Sequence, residues 1–574
     1  MKINKLYIAA ALAALALTGC DDFLDTESYT KKTTVTFPKT DGDIEMLLTG
    51  CYSIMNLNCN SKTEEVPFMV FDIASDDRLG GGSTSNRGAQ SADRLLKRDN
   101  KWMEVTWEYR YKGIYNANTI LELADQVESW ASPERKNQLL GEAHFLRAYY
   151  YFNLVQLFGQ CPLTLKMEAV NLPKASADEI YAQIATDLKE AIEMMPATKY
   201  SHDIGCTHAS LWAAEALMAR VFLFYTGYYN KTSLPTADGS SISKQQVIYW
   251  LEDCIYNSGH GLLADQRSLW PYTYANTKKA YKYMEGVSAE WATDNNQEVI
   301  FALAFGNYSS GDLYSNRIIE WYDLRKTGNS GKESYPFVAT GYSNGPVNRG
   351  LWDDWAADPD YAGDYRREGS ICDRAVELPD YEGDPSKEVE NSNLFAKKYA
   401  GTGAIAPDGS IYRSYAVYFG ADNHDHRGHT QNLILIRYAD ALLMHSELTQ
   451  TPNGMNQVRA RANLPEIGYS LENIIKERRY ELCFEGLRWN DLRRWHMVED
   501  IMKSQVGQEI GNRKFTDTYV DFTGENSFMH RYQVTGGFFN IPEAQIILSN
   551  GVLTQNSGWE NNEGTWTKLP YNTL

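Results

Sequence analysis

The sequence predicts a mainly α-helical protein with few short strands and a loop-rich region in the middle of the chain. Apolar residues recur at spacings of three and four over eight segments, which is the pattern of amphipathic helices. These segments are 42–57, 102–128, 138–158, 176–195, 207–226, 243–257, 431–448 and 470–486. The periodicity is lost between 258 and 430, where the clear strand is Glu298–Phe305. A helical scaffold with one long irregular region is therefore expected.

Helix boundaries are predicted from capping residues. The helix over 138–158 is apolar on most sides and is expected to end at Gly159. Ser176 and Glu179 have the spacing of a capping box, and Ser243 is expected to cap a later helix. Because the helices in the N-terminal half follow one another after short connections, they are expected to stack as helical hairpins.

The first 19 residues have the features of a secretory signal peptide. Lys2 and Lys5 precede an apolar run over 6–17, which is too short to span a bilayer comfortably. The sequence Leu17-Thr18-Gly19-Cys20 resembles the lipobox of bacterial lipoproteins, which implies cleavage before Cys20 and acylation of its thiol. The acidic residues after Cys20 resemble a signal for export to the outer face of the outer membrane. We therefore expect a lipid anchor with residues 20–40 as its tether; ordinary secretion with a free Cys20 thiol is the alternative.

Net charge excludes one class of partner. The 574-residue chain carries 74 acidic against 55 basic side chains, a net charge of −19. Removing residues 1–19 takes away two lysines and no acid, so the mature charge is −21. A field of this sign repels phosphate backbones, so no nucleic-acid partner is expected. The 38 tyrosines outnumber the 20 phenylalanines, and a tyrosine suits wet surfaces as well as cores.

Cysteine usage does not indicate a metal or redox site. Seven cysteines remain beside Cys20, so at least one is unpaired, and no CxxC pattern occurs. Cys161, Cys254 and Cys483 lie in apolar or helical segments and are expected to be packing residues.

Three glutamates, Glu477, Glu481 and Glu485, share one face of a predicted helix at a spacing of four. Arginines lie between and beyond them. Nearby arginines hold carboxylates ionised, whereas a general acid needs a raised pKa. A structural ion network is therefore predicted rather than a catalytic pair.

Two polar loops carry residue types that bind metals. The spacing of His424, His426 and His429 fits no zinc family, and no cysteine is near. The second is an acidic loop with Asp353, Asp354, Asp358, Asp360 and Asp364. It is not an EF-hand, because position twelve counted from Asp358 is Gly369 and not the glutamate that such a loop requires. We predict no metal and no cofactor; weak structural calcium at the acidic loop is the alternative.

Several phrases occur in one collinear order along the chain. They are Leu146-Arg-Ala-Tyr-Tyr-Tyr-Phe-Asn-Leu-Val-Gln-Leu-Phe-Gly159, Ala213-Ala-Glu-Ala-Leu-Met-Ala-Arg-Val221, Ile434-Leu-Ile-Arg-Tyr-Ala-Asp-Ala-Leu-Leu-Met444, Ile475-Lys-Glu-Arg-Arg-Tyr-Glu-Leu482, Phe539-Asn-Ile-Pro-Glu-Ala-Gln-Ile546 and Leu553-Thr-Gln-Asn556. With the lipobox, they resemble the SusD/RagB family of outer-membrane nutrient-binding lipoproteins over nearly the whole mature chain.

The resemblance implies a single SusD-like domain over 41–574. Four tetratricopeptide-like helix pairs are expected as a scaffold over about 41–257 and 431–500, with a loop-rich ligand-binding subdomain over about 258–430 and an irregular segment over 501–574. It implies a cell-surface lipoprotein that serves as a lid for a SusC-like TonB-dependent transporter and delivers oligosaccharides to it. It also implies binding without catalysis.

The glycan site is expected in aromatic loops, because flat rings stack on the C–H faces of pyranoses and polar side chains bond their hydroxyls. Two regions, 68–102 and 270–321, carry such residues, and the resemblance supports these regions by position alone. The predicted binding residues are Asp72, Asp76, Arg78 and Trp102 in the first region, and Trp270, Tyr272, Tyr274, Trp291, Tyr308, Tyr314 and Trp321 in the second.

Two alternative functions stay open. A binder of peptides or glycopeptides would have the same transport role. An all-α secreted glycosidase or lyase would use the same aromatics together with the abundant carboxylates. The mature charge also disfavours strongly anionic glycans as ligands, unless the pocket is locally basic.

Overall fold

Most of the regular structure is helical in the computed structural model, which describes residues 37–55, 66–83, 87–96, 101–168, 170–305, 315–325, 333–339, 341–384, 387–388, 390–419, 429–512, 515–518 and 527–560. The α-helices are α1 (Asp41–Met55), α2 (Val66–Ile73), α3 (Arg87–Asp93), α4 (Lys101–Leu123), α5 (Pro133–Phe158), α6 (Ala177–Met194), α7 (Leu211–Tyr228), α8 (Lys244–Asn257), α9 (Ala275–Lys278), α10 (Arg317–Tyr322), α11 (Arg349–Ala357), α12 (Arg366–Ser370), α13 (Arg374–Glu377), α14 (Ser414–Phe419), α15 (Tyr438–Thr449), α16 (Asn453–Arg461), α17 (Leu471–Leu482), α18 (Arg488–Arg494), α19 (Val498–Lys503), α20 (Phe528–Thr535) and α21 (Glu543–Leu548).

The strands are short and pair two at a time. They are β1 (Ser233–Pro235), β2 (Ser241–Ser243), β3 (Val299–Leu303), β4 (Ile371–Asp373), β5 (Leu394–Ala396), β6 (Gly403–Ile405), β7 (Ile411–Arg413), β8 (Leu433–Arg437), β9 (Glu509–Asn512) and β10 (Phe515–Thr518). The predicted mainly α-helical class is confirmed. Among the described residues, no helix combines the length and apolar character that crossing a bilayer requires.

Within the described part of the chain, four helix pairs form the scaffold, as the family resemblance predicts. The pairs are α1 with α4, α5 with α6, α7 with α8, and α15 with α16. Neighbouring pairs also pack on one another, through α4 and α5, α6 and α7, and α8 and α15. Helix α17 packs on both helices of the last pair. The arrangement is a stack in which each pair buries the apolar face of the next.

The capping residues act as predicted. The Ser176 hydroxyl accepts a hydrogen bond from the Glu179 amide at 3.3 Å, and the Glu179 carboxylate accepts one from the Ser176 amide at 2.8 Å. Ser243 accepts from the amide of Gln246 at 3.2 Å and begins α8. Helix α5 ends at Gly159, whose φ of +73° suits glycine better than any residue with a Cβ.

One predicted helix begins later than its periodicity indicates. The prediction over 431–448 is wrong for its first seven residues, about two turns, where the chain forms β8 before α15 begins at Tyr438. Strand β8 pairs antiparallel with β3, which lies within the predicted strand. The run Leu433-Ile434-Leu435-Ile436 suits either period, so the partner strand decides its structure.

The irregular region has a small core of its own. The ring of Trp355 stacks on Tyr480 with 4.5 Å between centroids, and Tyr361 meets Tyr480 edge-on at 4.6 Å. All three side chains are buried. Because Tyr480 belongs to α17, this core joins the irregular region to the scaffold.

The described cysteines are free, buried thiols. They are Cys51, Cys161, Cys206, Cys254, Cys372 and Cys483. Burial raises the pKa of each, to about 12 for Cys51, Cys161, Cys206 and Cys483. The prediction that Cys161, Cys254 and Cys483 are packing residues is confirmed; Cys20 and Cys59 lie outside the described residues.

Glu477, Glu481 and Glu485 lie in the protein interior. Helix α17 ends at Leu482, so the prediction that Glu485 shares a helical face with the other two is wrong. Glu481 accepts hydrogen bonds from Arg366 of α12 at 2.8 Å and from Arg437 of β8 at 2.6 Å. Burial opposes ionisation of Glu481, but the guanidiniums of Arg461, Arg437 and Arg366 keep its pKa well below the usual range. This confirms the predicted ion network and is the opposite of what a general acid requires.

The ion network joins elements that are far apart in the chain. Arg437 also donates to Glu298, the residue before β3, at 2.9 Å. Arg461 at the end of α16 donates to the same carboxylate at 2.6 Å. Glu485 accepts from Lys398 at 2.8 Å. Since an unpaired buried charge is strongly destabilising, these contacts fix the relative positions of β3, β8, α12, α16 and α17.

We predict that Glu481→Gln lowers the free energy of unfolding by about 3 kcal/mol or more, because Arg437 and Arg461 each lose a buried carboxylate partner. Urea unfolding measures the change. Glu472→Gln is the control, since Glu472 lies on the exposed start of the same helix. Its expected effect is below about 0.5 kcal/mol. Equal losses in both variants would contradict the structural role of the network.

Candidate functional site

The polar residues predicted in the first loop region are used inside the fold. Arg78 forms a buried ion pair with Asp72, with 2.5 Å between Nε and Oδ2. Asp76 lies 2.8 Å from both Arg479 and Arg488. Burial opposes its ionisation, but the two guanidiniums lower the pKa of Asp76 to about 2. This placement corrects the prediction that Asp72, Asp76 and Arg78 are free to bond sugar hydroxyls, because their charges are already paired within the protein.

Two predicted aromatics of the second region are also interior residues. Trp270 is fully buried and meets the ring of Tyr399 edge-on, with 5.2 Å between centroids. Tyr272 is fully buried, and its hydroxyl donates to the carbonyl of Gly369 at 2.7 Å. Neither ring has an exposed face for a sugar, so their placement corrects the prediction and makes both structural.

The structure brings Trp102 and Trp321 together from the two separate regions. Their rings meet edge-on with 5.7 Å between centroids. Tyr342 extends the contact, with its centroid 5.4 Å from that of Trp321. Trp102 is buried, whereas Trp321 and Tyr342 are partly exposed. We call these three residues the Trp321 cluster.

Backbone contacts hold the exposed part of the Trp321 cluster in place. Trp321 lies near the end of α10, which begins where the Asn316 side chain accepts from the Ile318 amide. The Tyr342 amide donates to the backbone carbonyl of Glu320 at 2.9 Å, and the Asn344 amide donates to the backbone carbonyl of Trp321 at 2.9 Å. The segment with Tyr342 is therefore fastened along the end of α10, and both rings are positioned by rigid backbone.

Charged groups surround the Trp321 cluster. Arg317 and Glu320 form an ion pair at 2.5 Å on α10. Arg325 donates to the carbonyl of Tyr342 at 2.6 Å and lies 5.9 Å from the centre of its ring. The indole N–H of Trp321 has no hydrogen-bond partner among the described residues. Arg317, Glu320 and the indole nitrogen are buried, so Arg325 is the partly exposed polar group among those named here. The cluster thus combines accessible rings with a guanidinium donor, groups that can recognise polyhydroxylated molecules.

A second aromatic group lies where α14 meets the loop before β3. Trp291 contacts Tyr415 at 4.9 Å and Tyr418 at 5.1 Å between centroids, and Tyr274 lies 5.8 Å from Tyr418. Tyr418 is 42% exposed and Tyr274 is partly exposed, whereas Trp291 is buried. We call these four residues the Tyr418 cluster. It includes Tyr274 and Trp291 of the predicted set.

A carboxyl with a raised pKa lies beside the Tyr418 cluster. Asp294 accepts hydrogen bonds from the Tyr415 hydroxyl at 2.7 Å and from the Asn432 amide at 3.2 Å. Burial outweighs these bonds and raises the pKa of Asp294 to about 7. The protonation state of this carboxyl therefore changes near neutral pH, at a position bonded to the cluster.

Other predicted residues lie outside the described part of the chain. These are Tyr308 and Tyr314 of the glycan set, and His424 and His426 of the histidine loop. The remaining His429 is buried, and its ring contacts the Arg413 guanidinium. Within the residues that the structure describes, no group of three or more His, Cys, Asp or Glu is arranged to hold a metal ion.

Sequence reasoning missed Tyr342, Tyr415 and Tyr418. Tyr415 and Tyr418 lie three residues apart on α14, a spacing that places both rings on one side of a short helix. That spacing is a local signal. Tyr342 has no such signal, because its neighbour Trp321 is brought to it by hydrogen bonds between distant segments.

Comparison with known proteins identifies the family. A family model described as starch-binding and associating with the outer membrane matches residues 22–223, and one described as the SusD family matches 297–559. The chain belongs to the SusD/RagB family. SusD-like protein P2 of Formosa agariphila is 24% identical over 97% of this chain and 100% of its own length. A SusD-like protein of Bacteroides ovatus is 22% identical over 86% of this chain and 82% of its own.

Solved structures share the fold. A laminarin-binding SusD-like protein superposes with a TM-score of 0.67 at 23% identity, covering 91% of this chain and all of its own. Surface glycan-binding protein A from Bacteroides thetaiotaomicron, in complex with laminarihexaose, gives 0.66 at 19% identity and covers 90% of this chain and all of its own. These similarities confirm the SusD-like fold.

We predict that Asp294→Asn alters the pH dependence of stability between pH 4 and pH 7. A carboxyl whose folded pKa is raised stabilises the protein fully below its unfolded pKa, near 4, and loses that contribution as pH rises through its folded pKa. Asn cannot ionise, so the variant should gain stability relative to the parent as pH rises, on the order of 2 kcal/mol by pH 7.5. Urea unfolding at pH 5 and 7.5 measures the difference, and parallel curves would contradict the assignment.

Proposed function

We propose that this protein captures oligosaccharides or polysaccharides at the cell surface, with the Trp321 cluster as its principal binding site. The observation that carries the proposal is the contact between Trp102 and Trp321, predicted binding residues from two distant regions, at a partly exposed position. Membership of the SusD/RagB family supports it. So do the neighbouring structures described as laminarin-binding and as bound to laminarihexaose.

The role proposed for each residue of the Trp321 cluster follows from how exposed its side chain is. Trp321 and Tyr342 would offer their accessible faces to the C–H faces of a sugar, while buried Trp102 holds Trp321 from behind. Arg325, which is partly exposed, would donate to hydroxyls. Stacking tolerates different sugars, whereas the fixed donors select orientation. The Tyr418 cluster is a second candidate platform, because Tyr418 is well exposed.

The wider role is proposed from the family. We propose a lipoprotein, anchored in the outer membrane through Cys20 and facing outward, that delivers its glycan to a SusC-like TonB-dependent transporter. We also propose that it binds without catalysis. Support for this comes from Glu477, Glu481 and Glu485, which are paired with arginines in the interior and so are unsuited to general-acid chemistry.

We predict that Trp321→Ala weakens glycan affinity about 10- to 100-fold, because a truncated stacking ring at a binding hot spot costs about 1–3 kcal/mol. Affinity electrophoresis against a polysaccharide panel that includes laminarin identifies the ligand, and calorimetry then measures affinity. Tyr249→Ala is the matched control, since Tyr249 is a highly exposed tyrosine on α8. Melting temperatures are recorded for both variants to separate binding from stability.

The results discriminate between the competing functions. Loss of affinity in Tyr418→Ala with retention in Trp321→Ala would move the site to the Tyr418 cluster. Binding of peptides or glycopeptides in place of every glycan would support the alternative cargo. Release of reducing ends from a glycan would establish an enzyme and overturn the non-catalytic proposal.

Replacement of the proposed lipidated residue tests the anchor. We predict that Cys20→Ala abolishes incorporation of labelled fatty acid and moves the protein from the membrane fraction to the soluble fraction, since the thiol to be acylated is lost. Cys59→Ala, which leaves the lipobox intact, serves as the control. Unchanged fractionation of Cys20→Ala would contradict lipid anchoring at this residue.

A further inference from the structure

A groove with both aromatic and polar side chains lies between α4 and α21. Its volume is about 250 Å³. Three of its rings belong to α4, namely Trp107, Tyr111 and Tyr115, which share one helix face at a spacing of four. Helix α21 contributes Leu548 to the lining. We call this feature the α4–α21 groove.

The α4–α21 groove is far from the Trp321 cluster, although both use α4. Tyr115 is 13 residues after Trp102, which is about 20 Å along the helix axis. Thirteen residues are about 3.6 turns, so the two side chains also leave the helix on different sides. Among the described residues that line the groove, none belongs to the Trp321 cluster or the Tyr418 cluster.

Hydrogen bonds fix the chain segment that follows α5 and forms one edge of the groove. The Tyr111 hydroxyl donates to the carbonyl of Pro162 at 2.7 Å. The side-chain amide of Asn118 donates to the carbonyls of Thr164 and Lys166, each at 3.2 Å. Because this segment is held along α4, the groove is preformed, and binding does not require its rearrangement.

Four polar side chains in the groove are available to a ligand. They are Lys166, Glu168, Asn171 and Gln545. The first three are exposed, and Gln545 is partly exposed. None of the four uses its side chain in a hydrogen bond or ion pair with another residue that the structure describes. They differ in this respect from the polar residues of the first loop region, whose charges are paired within the protein.

The charges of the groove balance, which indicates the kind of ligand that suits it. Lys166 and Glu168 carry opposite charges two residues apart, and the other polar side chains of the lining are uncharged. An uncharged ligand therefore suits the groove better than a phosphate or a carboxylate. Tyr115 is 46% exposed and has a ring face available for stacking. Rings together with unpaired amide and charged groups suit a polyhydroxylated ligand.

We propose that the α4–α21 groove is a second binding site for a neutral glycan, with Tyr115 as its stacking ring. The ligand class rests on the proposed function. Lys166 donates to sugar hydroxyls and Glu168 accepts from them, while Leu548 contacts an apolar sugar face. The groove is smaller than the range of about 300–1,000 Å³ for drug-sized ligands, so it takes one or two sugar units of a longer chain.

Two sites on one protein change how it binds a polymer. A polysaccharide repeats its unit, so a single glycan chain can occupy both sites, and the second contact is then intramolecular. This raises the affinity for the polysaccharide above that of either site alone. A trisaccharide is too short to reach from one site to the other, so two such molecules bind one protein.

The test compares variants of the full chain by affinity electrophoresis in laminarin, starch, inulin, xylan and galactomannan. For a polysaccharide that retards the parent, we expect Tyr115→Ala to lower the affinity at least fivefold. Trp321→Ala should keep a residual retardation that the double variant Trp321→Ala, Tyr115→Ala loses. Calorimetry with the matching trisaccharide should count two molecules for each parent chain and one for each single variant. The control Tyr249→Ala removes another exposed tyrosine from a scaffold helix and should behave as the parent.

The outcomes separate this site from the principal one. Equal retardation of Tyr115→Ala and the parent, or one trisaccharide for each parent chain, would overturn the second site and leave the Trp321 cluster in place. Loss of retardation in Tyr115→Ala with full retention in Trp321→Ala would support the groove and overturn the principal site. Failure of every polysaccharide to retard the parent would overturn both. Weaker co-purification of Tyr115→Ala with the transporter, at unchanged retardation, would assign the groove to that protein and overturn the glycan site.

Discussion

Paired charge in the protein interior is the constraint on which the rest of this structure depends. Glu481 can be ionised in the core only where Arg437 and Arg461 meet it, so β8, α16 and α17 must be in place together. A further ion pair extends from α17: Arg479 pairs with Asp76 and holds the loop after α2 in place. The ion pairs attach the irregular region to the helix pairs together with the packing of Trp355 and Tyr361 on Tyr480.

This attachment explains why the loop aromatics separate into two groups. Trp270 lies beside Lys398, and Lys398 pairs with Glu485 in the ion network, so the ring is held in the interior. Trp321 and Tyr418 keep part of their surface in contact with water. An anchored loop with a partly exposed ring at its edge is preorganised, and preorganisation reduces the entropy lost when a ligand binds.

The sequence predicts features that depend on near neighbours. The capping box at Ser176 and the end of α5 at Gly159 are local, and both were predicted correctly. The burial of Tyr272 depends on its bond to Gly369, which is 97 residues away, and no periodicity reports such a contact. The polar residues of the first loop region also depend on distant partners, since Arg488, the partner of Asp76, is 412 residues away in the chain. Composition identified aromatic loops, and tertiary contacts decided which rings face solvent.

The buried cysteines have a consequence for the redox chemistry of this protein. A thiol with a pKa near 12, such as Cys51 or Cys161, is ionised in only about one molecule in 10⁵ at neutral pH, and the thiolate is the reactive form. These side chains therefore neither exchange with disulfides nor oxidise readily in the folded state. Among the described residues, shape is maintained without disulfide cross-links, so a reducing agent has no covalent bond to break there.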